Sequence, residues 1–253
     1  MNFKIGLALA LVLGLMGSSG CGNKDEDEAK VGNSPPLTNE RGTATISGKV
    51  VLKGKAPAGE PIHFASDPVC LAQHPGMALD NTVQVDGKNG LVNVLVYVKE
   101  GAGNYPAPSN AITLTQKGCQ YVPHVFGLQV NQRLEIVNDD PTFHNVHAIP
   151  VLNDAFNFNQ MSKGMITEKI FTKPEVPVRF KCDVHYWMHC MGGVFNHPFF
   201  AVTNADGTFR ITGLPAGSYT LAAYQEKFGE SDSQRVDLKD GETKTLDFTF
   251  SVP

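Results

Sequence analysis

The chain alternates between apolar and polar residues far more than it repeats at helical spacing. Ile46, Gly48, Val50 and Leu52 take turns with Ser47, Lys49, Val51 and Lys53, the period of two that sets one face of a strand against a core. Residues 91–99, LVNVLVYVK, are apolar at nearly every position, which predicts a central strand covered on both faces. Further strands are predicted over 111–115, 125–130 and 133–138, with Leu134 and Ile136 inward. After the turn cluster Asn138-Asp139-Asp140-Pro141, another follows over 142–149. Beyond His197, short strands recur at even spacing over 201–203, 209–211, 219–224, 235–238 and 243–250, separated by turns at Asp206-Gly207 and Pro215-Ala216-Gly217. No amphipathic helix of about twelve residues or more appears beyond the amino-terminal apolar run. The pattern predicts an all-β chain.

One stretch breaks the alternation. Val178, Phe180 and Cys182 alternate with Arg179, Lys181 and Asp183, so a strand would turn the thiol inward. The run then packs His185, Met188, His189, Cys190 and Met191 into one short loop closed by Gly192 and Gly193. Soft sulfur and imidazole this close together suit a transition metal. A type 1 copper site takes two imidazoles, one thiolate and a weak axial thioether. Cys182, His185 and Met188 supply three of these, and a loop this short needs the fourth from another strand. His144 is the candidate. His147, three residues further along an extended strand, faces the other way. Met191 is the fallback axial ligand, and His189 is expected at the surface. Cys190 reads as a spare thiol, a crosslink or a competing ligand, and Trp187 as a shield for the metal, a docking residue or packing.

Composition narrows the classes. With 253 residues, a formal charge of −4 and no basic patch, nucleic acid is excluded as a partner. The 25 glycines and 16 prolines suit turns between short strands. Lys4 precedes an apolar run over 5–16, too short to span a bilayer, and small residues 17–20 lead into Cys21. This reads as a signal peptide over 1–20 and an exported chain. Residues 21–43, acidic and then rich in Asn, Ser and Pro, read as a disordered tether. Cys70 in DPVCLAQH and Cys119 in KGCQYVPH each precede a histidine, His74 and His124. An oxidising compartment favours a Cys70–Cys119 disulfide; the alternative is a Cys2His2 metal site.

Cys182-x2-His185-x2-Met188 resembles the carboxy-terminal copper loop of the cupredoxins, with amicyanin-like spacing. His144-Asn145-Val146, 38 residues before the cysteine, resembles their first-histidine segment. The resemblance implies a Greek-key sandwich over 44–197 with one type 1 copper held by His144, Cys182, His185 and Met188. It also implies that Asn145 braces the copper loop, and that His185 stands at the surface edge as the exit for electrons. The expected activity is electron transfer to transient redox protein partners docking near His185, not enzymatic turnover. Small residues before Cys21 resemble the lipobox of bacterial lipoproteins, although Ser18 stands where that pattern usually has Leu. This implies a lipidated Cys21 anchoring the chain to a membrane, facing the periplasm or cell surface. DGTFRITGLPAGSYTLAAY resembles the carboxypeptidase regulatory-like modules, which implies a small non-catalytic β-sandwich over 198–253, as a separate module or an extension of the first sandwich. Two other functions compete: copper capture and delivery without redox turnover, and a surface binding module without metal.

Overall fold

In the computed structural model the described residues are 37–64, 67–80 and 82–252. The signal peptide, Cys21 and most of the tether lie outside them. Among the described residues no helix is long and apolar enough to cross a membrane. Nearly all regular structure is strand, as the alternation predicts; the single described α-helix is Pro68–Gln73.

Four larger sheets stack as layers, and a fifth, of two strands, pairs Pro61–Ile62 with Ala78–Leu79. In the first, Ala44–Lys53 is central, antiparallel to Thr208–Leu214 and parallel to Thr243–Thr245 and Phe248–Ser251. The second is ordered Phe200–Val202, Leu95–Glu100, Gly217–Gln225, with Gly229–Glu230 and Gln234–Leu238 both pairing with the last of these. Ile46, Val50 and Leu52 of the first sheet meet Val96, Val98 and Leu221 of the second in one apolar core. The third sheet runs Phe156–Gln160, His144–Ile149, Glu175–Lys181, His189–Phe195, Val125–Gln129. The fourth runs Ile166–Ile170, Arg133–Asn138, Ile112–Gln116, Tyr121–Val122. Between these two, Val146, Val178 and Phe180 pack on Leu114, Leu134 and Ile136. Leu95, Tyr97 and Ala222 of the second sheet press on Val125, Met191 and Phe195 of the third, closing the two sandwiches against each other.

The double covering of residues 95–98 has its cause here: Val96 and Val98 enter the first core while Leu95 and Tyr97 enter the contact between sandwiches. The same pairing crosses the expected boundary near His197. Ala44–Lys53 and Leu95–Glu100, which the sequence assigns to the first domain, pair with the strands after His197. An edge strand leaves a row of backbone groups unpaired, and these early strands fill the hydrogen-bonding positions of the late ones. The sandwich that carries His144 and Cys182 is thus an insertion between strands of the other.

Candidate metal centre

Strand pairing converges the ligands. His144 opens the strand His144–Ile149, and Cys182 directly follows Glu175–Lys181; the two strands are antiparallel with His147 opposite Lys181. From Cys182 the chain turns tightly: Cys182 N–H donates to the Met188 carbonyl (3.0 Å) and Met188 N–H to the His185 carbonyl (2.8 Å). The turn brings His185 back over the thiol. His144 Nδ1 stands 3.0 Å from His185 Nδ1, and Cys182 Sγ stands 3.9 Å from His185 Nδ1. The ligating atoms of the three all lie within 4.8 Å of one another, and all three residues are buried. Metal bonds of about 2.0–2.3 Å place neighbouring donors roughly 3–4 Å apart, so one ion fits among them. Two imidazoles and one thiolate are the donor types of a type 1 copper site.

The thiol is held as an anion's sulfur would be. Sγ accepts from the Asn145 and His185 backbone N–H groups at 3.3 and 3.4 Å. Burial opposes ionisation of Cys182, but hydrogen bonds from His144, His185 and these amides outweigh it and bring its pKa down to about 6. Burial also opposes the charge on His144, yet its bonds to Asp140 and Cys182 raise its pKa. Asn145 braces the loop: its Oδ1 accepts from Asp183 N–H (3.1 Å), while its Nδ2 reaches Asn157, Phe158 and Asn159.

Met188 is buried in the same apolar cluster as Cys182. Met191 belongs to the contact between sandwiches, on the opposite face of its strand, and is no fallback. Cys190 is buried beside Phe180, and burial pushes its thiol well above the usual range. His147 faces away and bonds Asp183 at 2.9 Å. Cys70 and Cys119 are disulfide-bonded. His74 stacks on Phe64 and bonds the Gly118 carbonyl.

His185 departs from the surface position implied by the family resemblance: it is 2% exposed. Its Nε2 bonds Asp67 Oδ2 at 3.1 Å and lies 3.9 Å from Cys70 Sγ. Asp67 also caps the helix Pro68–Gln73, accepting from Val69 and Cys70 N–H, so the disulfide-pinned helix roofs the histidine edge. Trp187 closes another side, its ring 5.1 Å from that of His185 and its Nε1–H donated to the Cys119 carbonyl.

Two carboxylates escaped sequence reasoning. Asp140 Oδ2 bonds His144 Nε2 at 2.9 Å and accepts from Cys119 N–H, while its Oδ1 accepts from Gly118 N–H. Asp67 plays the matching part for His185. Each holds the far ring nitrogen and leaves Nδ1 for a metal. The Asp67-Pro68 pair carried a helix-cap signal, but nothing in the sequence tied it to His185.

Residues 195–251 match the model of the carboxypeptidase regulatory-like domain. No curated protein matches the chain. Among solved structures, a copper-containing nitrite reductase from Thermus scotoductus SA-01 is 24% identical, with 40% of this chain and 25% of the reductase covered, at TM-score 0.33. The chain thus spans about a quarter of that protein's length. A purple cupredoxin from Nitrosopumilus maritimus is 21% identical over 34% of this chain and 99% of its own, at TM-score 0.29. A methionine-to-alanine mutant of amicyanin, in its Cu(I) form, is 15% identical over 39% and 97%, at TM-score 0.30. Likenesses this distant leave function to the site itself.

Proposed function

We propose that this chain is an exported type 1 copper protein that carries single electrons between redox partners, tethered to a bacterial membrane through a lipid on Cys21. The reading is carried by the buried convergence of His144, Cys182 and His185 on one point, with the thiol already biased toward thiolate. Copper held there by His144, Cys182, His185 and Met188 would supply a one-electron couple, sulfur favouring Cu(I) and nitrogen Cu(II).

The chain's own residues supply rigidity. Asp67 and Asp140 fix both imidazoles in one tautomer, Asn145 anchors the loop, and two amides point at the sulfur. Trp187 and the roofing helix keep water from the ring of His185. A donor set held this way moves little when the charge changes, which is what fast electron exchange requires. With His185 roofed, we place docking on the apolar residues beside it: Tyr186, 69% exposed and in edge contact with Trp187, together with Val184 and Leu71. Such a contact is small and transient. Burial of all three donors disfavours the competing delivery role, since a donor protein must let its cargo go.

The test is the visible spectrum and copper content of the copper-loaded protein beside Cys182→Ser. The oxidised wild type is expected to show an intense thiolate-to-copper band that the variant loses. An oxidised, copper-loaded wild type without the band would end the carrier reading.

A further inference from the structure

A second set of ligating side chains stands apart from the copper motif. His124 Nε2 lies 2.7 Å from Glu226 Oε2, and His189 Nδ1 lies 2.9 Å from Glu226 Oε1. The ligating atoms of the three fall within 4.8 Å of one another, and all are partly buried. The other nitrogen of His189, Nε2, is 3.3 Å from Asp80 Oδ2. These residues come from separate parts of the fold. His124 precedes the strand Val125–Gln129, and His189 opens His189–Phe195. Glu226 follows Gly217–Gln225 in the other sandwich, and Asp80 follows the short strand Ala78–Leu79. Nothing in the sequence joins His124 to His189; the fold gives both Glu226 as a common partner.

Metal-bound histidines characteristically donate their far N–H to a carboxylate, which fixes the tautomer and the ring plane. Asp80 is placed to do this for His189. A cavity of about 40 Å³, bordered by Asp80, His124, Trp187, Met188 and His189, adjoins the cluster. It has room for a water as a further ligand. Two imidazoles and a carboxylate, with no sulfur, suit a borderline divalent ion such as Zn²⁺ and not Cu(I).

We infer that His124, His189 and Glu226 form a second metal site for a divalent ion of the Zn²⁺ class, oriented by Asp80, which clips the two sandwiches together. Without an ion the same residues form a network of ion pairs and hydrogen bonds, and the experiment must separate these states.

The full-length protein carrying Cys182→Ser, which lacks the thiolate of the first site, is titrated with Zn²⁺ by calorimetry. Uptake of one equivalent is expected, with affinity reduced by roughly tenfold or more on adding Glu226→Gln. Glutamine keeps the shape and one acceptor; far-UV circular dichroism checks folding, and His124→Asn in the same background serves if the glutamine variant does not fold. X-ray absorption at the zinc edge is expected to show only nitrogen and oxygen neighbours near about 2.0 Å. No zinc uptake, uptake unchanged by both substitutions, or a sulfur neighbour would overturn the site. The Cys182→Ser background keeps this result independent of the electron-carrier reading.

Discussion

Asp67 and Asp140 each hold the far ring nitrogen of one histidine of the candidate centre. Burial opposes the charge on Asp67, but hydrogen bonds from Cys70, Thr142, Val69 and His185 prevail and lower its pKa, so it is an anion at neutral pH. A negative charge behind one imidazole favours the more positive metal state. Asp67→Asn is therefore expected to raise the reduction potential of the copper-loaded protein, by on the order of 60 mV for a tenfold change in the one-electron equilibrium. Spectroelectrochemical titration reads the value, and a potential that stays or falls would mean the carboxylate does not bias the couple. The grouping of His144, Cys182 and His185 was legible because the cysteine and the loop histidine announce their chemistry by type and spacing, and His144 by its strand context. Asp67 was not legible: it lies 118 residues from the histidine it holds, and only the fold joins them.

Between the sandwiches, the chain passes from His189–Phe195 to Phe200–Val202 through a buried histidine. His197 Nε2 donates to the Val98 carbonyl at 2.9 Å and Nδ1 accepts from Phe199 N–H at 3.1 Å, so the fold wants the ring neutral. Burial lowers its pKa to about 4, against the helping bond to Val98. An unfolded histidine, with a pKa near ~6.5, binds a proton that the folded one refuses. Between these values the unfolded state holds more protons, so the contribution is complete above pH ~6.5 and is lost as pH falls toward about 4. The loss is on the order of 3 kcal/mol at most. Urea unfolding across this range is expected to show a slope that His197→Asn removes; parallel profiles would assign the acid sensitivity elsewhere. At this scale most of the longer strands were legible from their alternation, and the doubly covered run at 95–98 from its unbroken apolar character; Phe156–Gln160 and Ile166–Ile170 were not. The helix Pro68–Gln73 was not, because six residues are too few to display a helical period.

At the scale of the whole molecule, one contact between the second and third sheets depends on a missing side chain. A Cβ on Gly193 would come within 2.4 Å of Leu95 Cδ2 and 2.8 Å of the Phe195 ring, both buried. Gly193→Ala is expected to destabilise the protein by about 1–3 kcal/mol through overpacking, with a lower denaturation midpoint at unchanged slope; an unshifted midpoint would show that the layers can yield. The all-β class could be read from the sequence, but the split between sandwiches could not. Turn chemistry and alternation are local signals. The partners of Ala44–Lys53 lie some two hundred positions downstream, in the parallel register Val50 to Phe248. This wrap-around has a temporal side. The earliest described strand to be synthesised must wait for nearly the last, whereas the two sheets of the inserted lobe are paired wholly from its own strands. Loop closure over so long a span is slow, so the inserted lobe has the means to assemble first, as ballast around which the two ends of the chain finally knit.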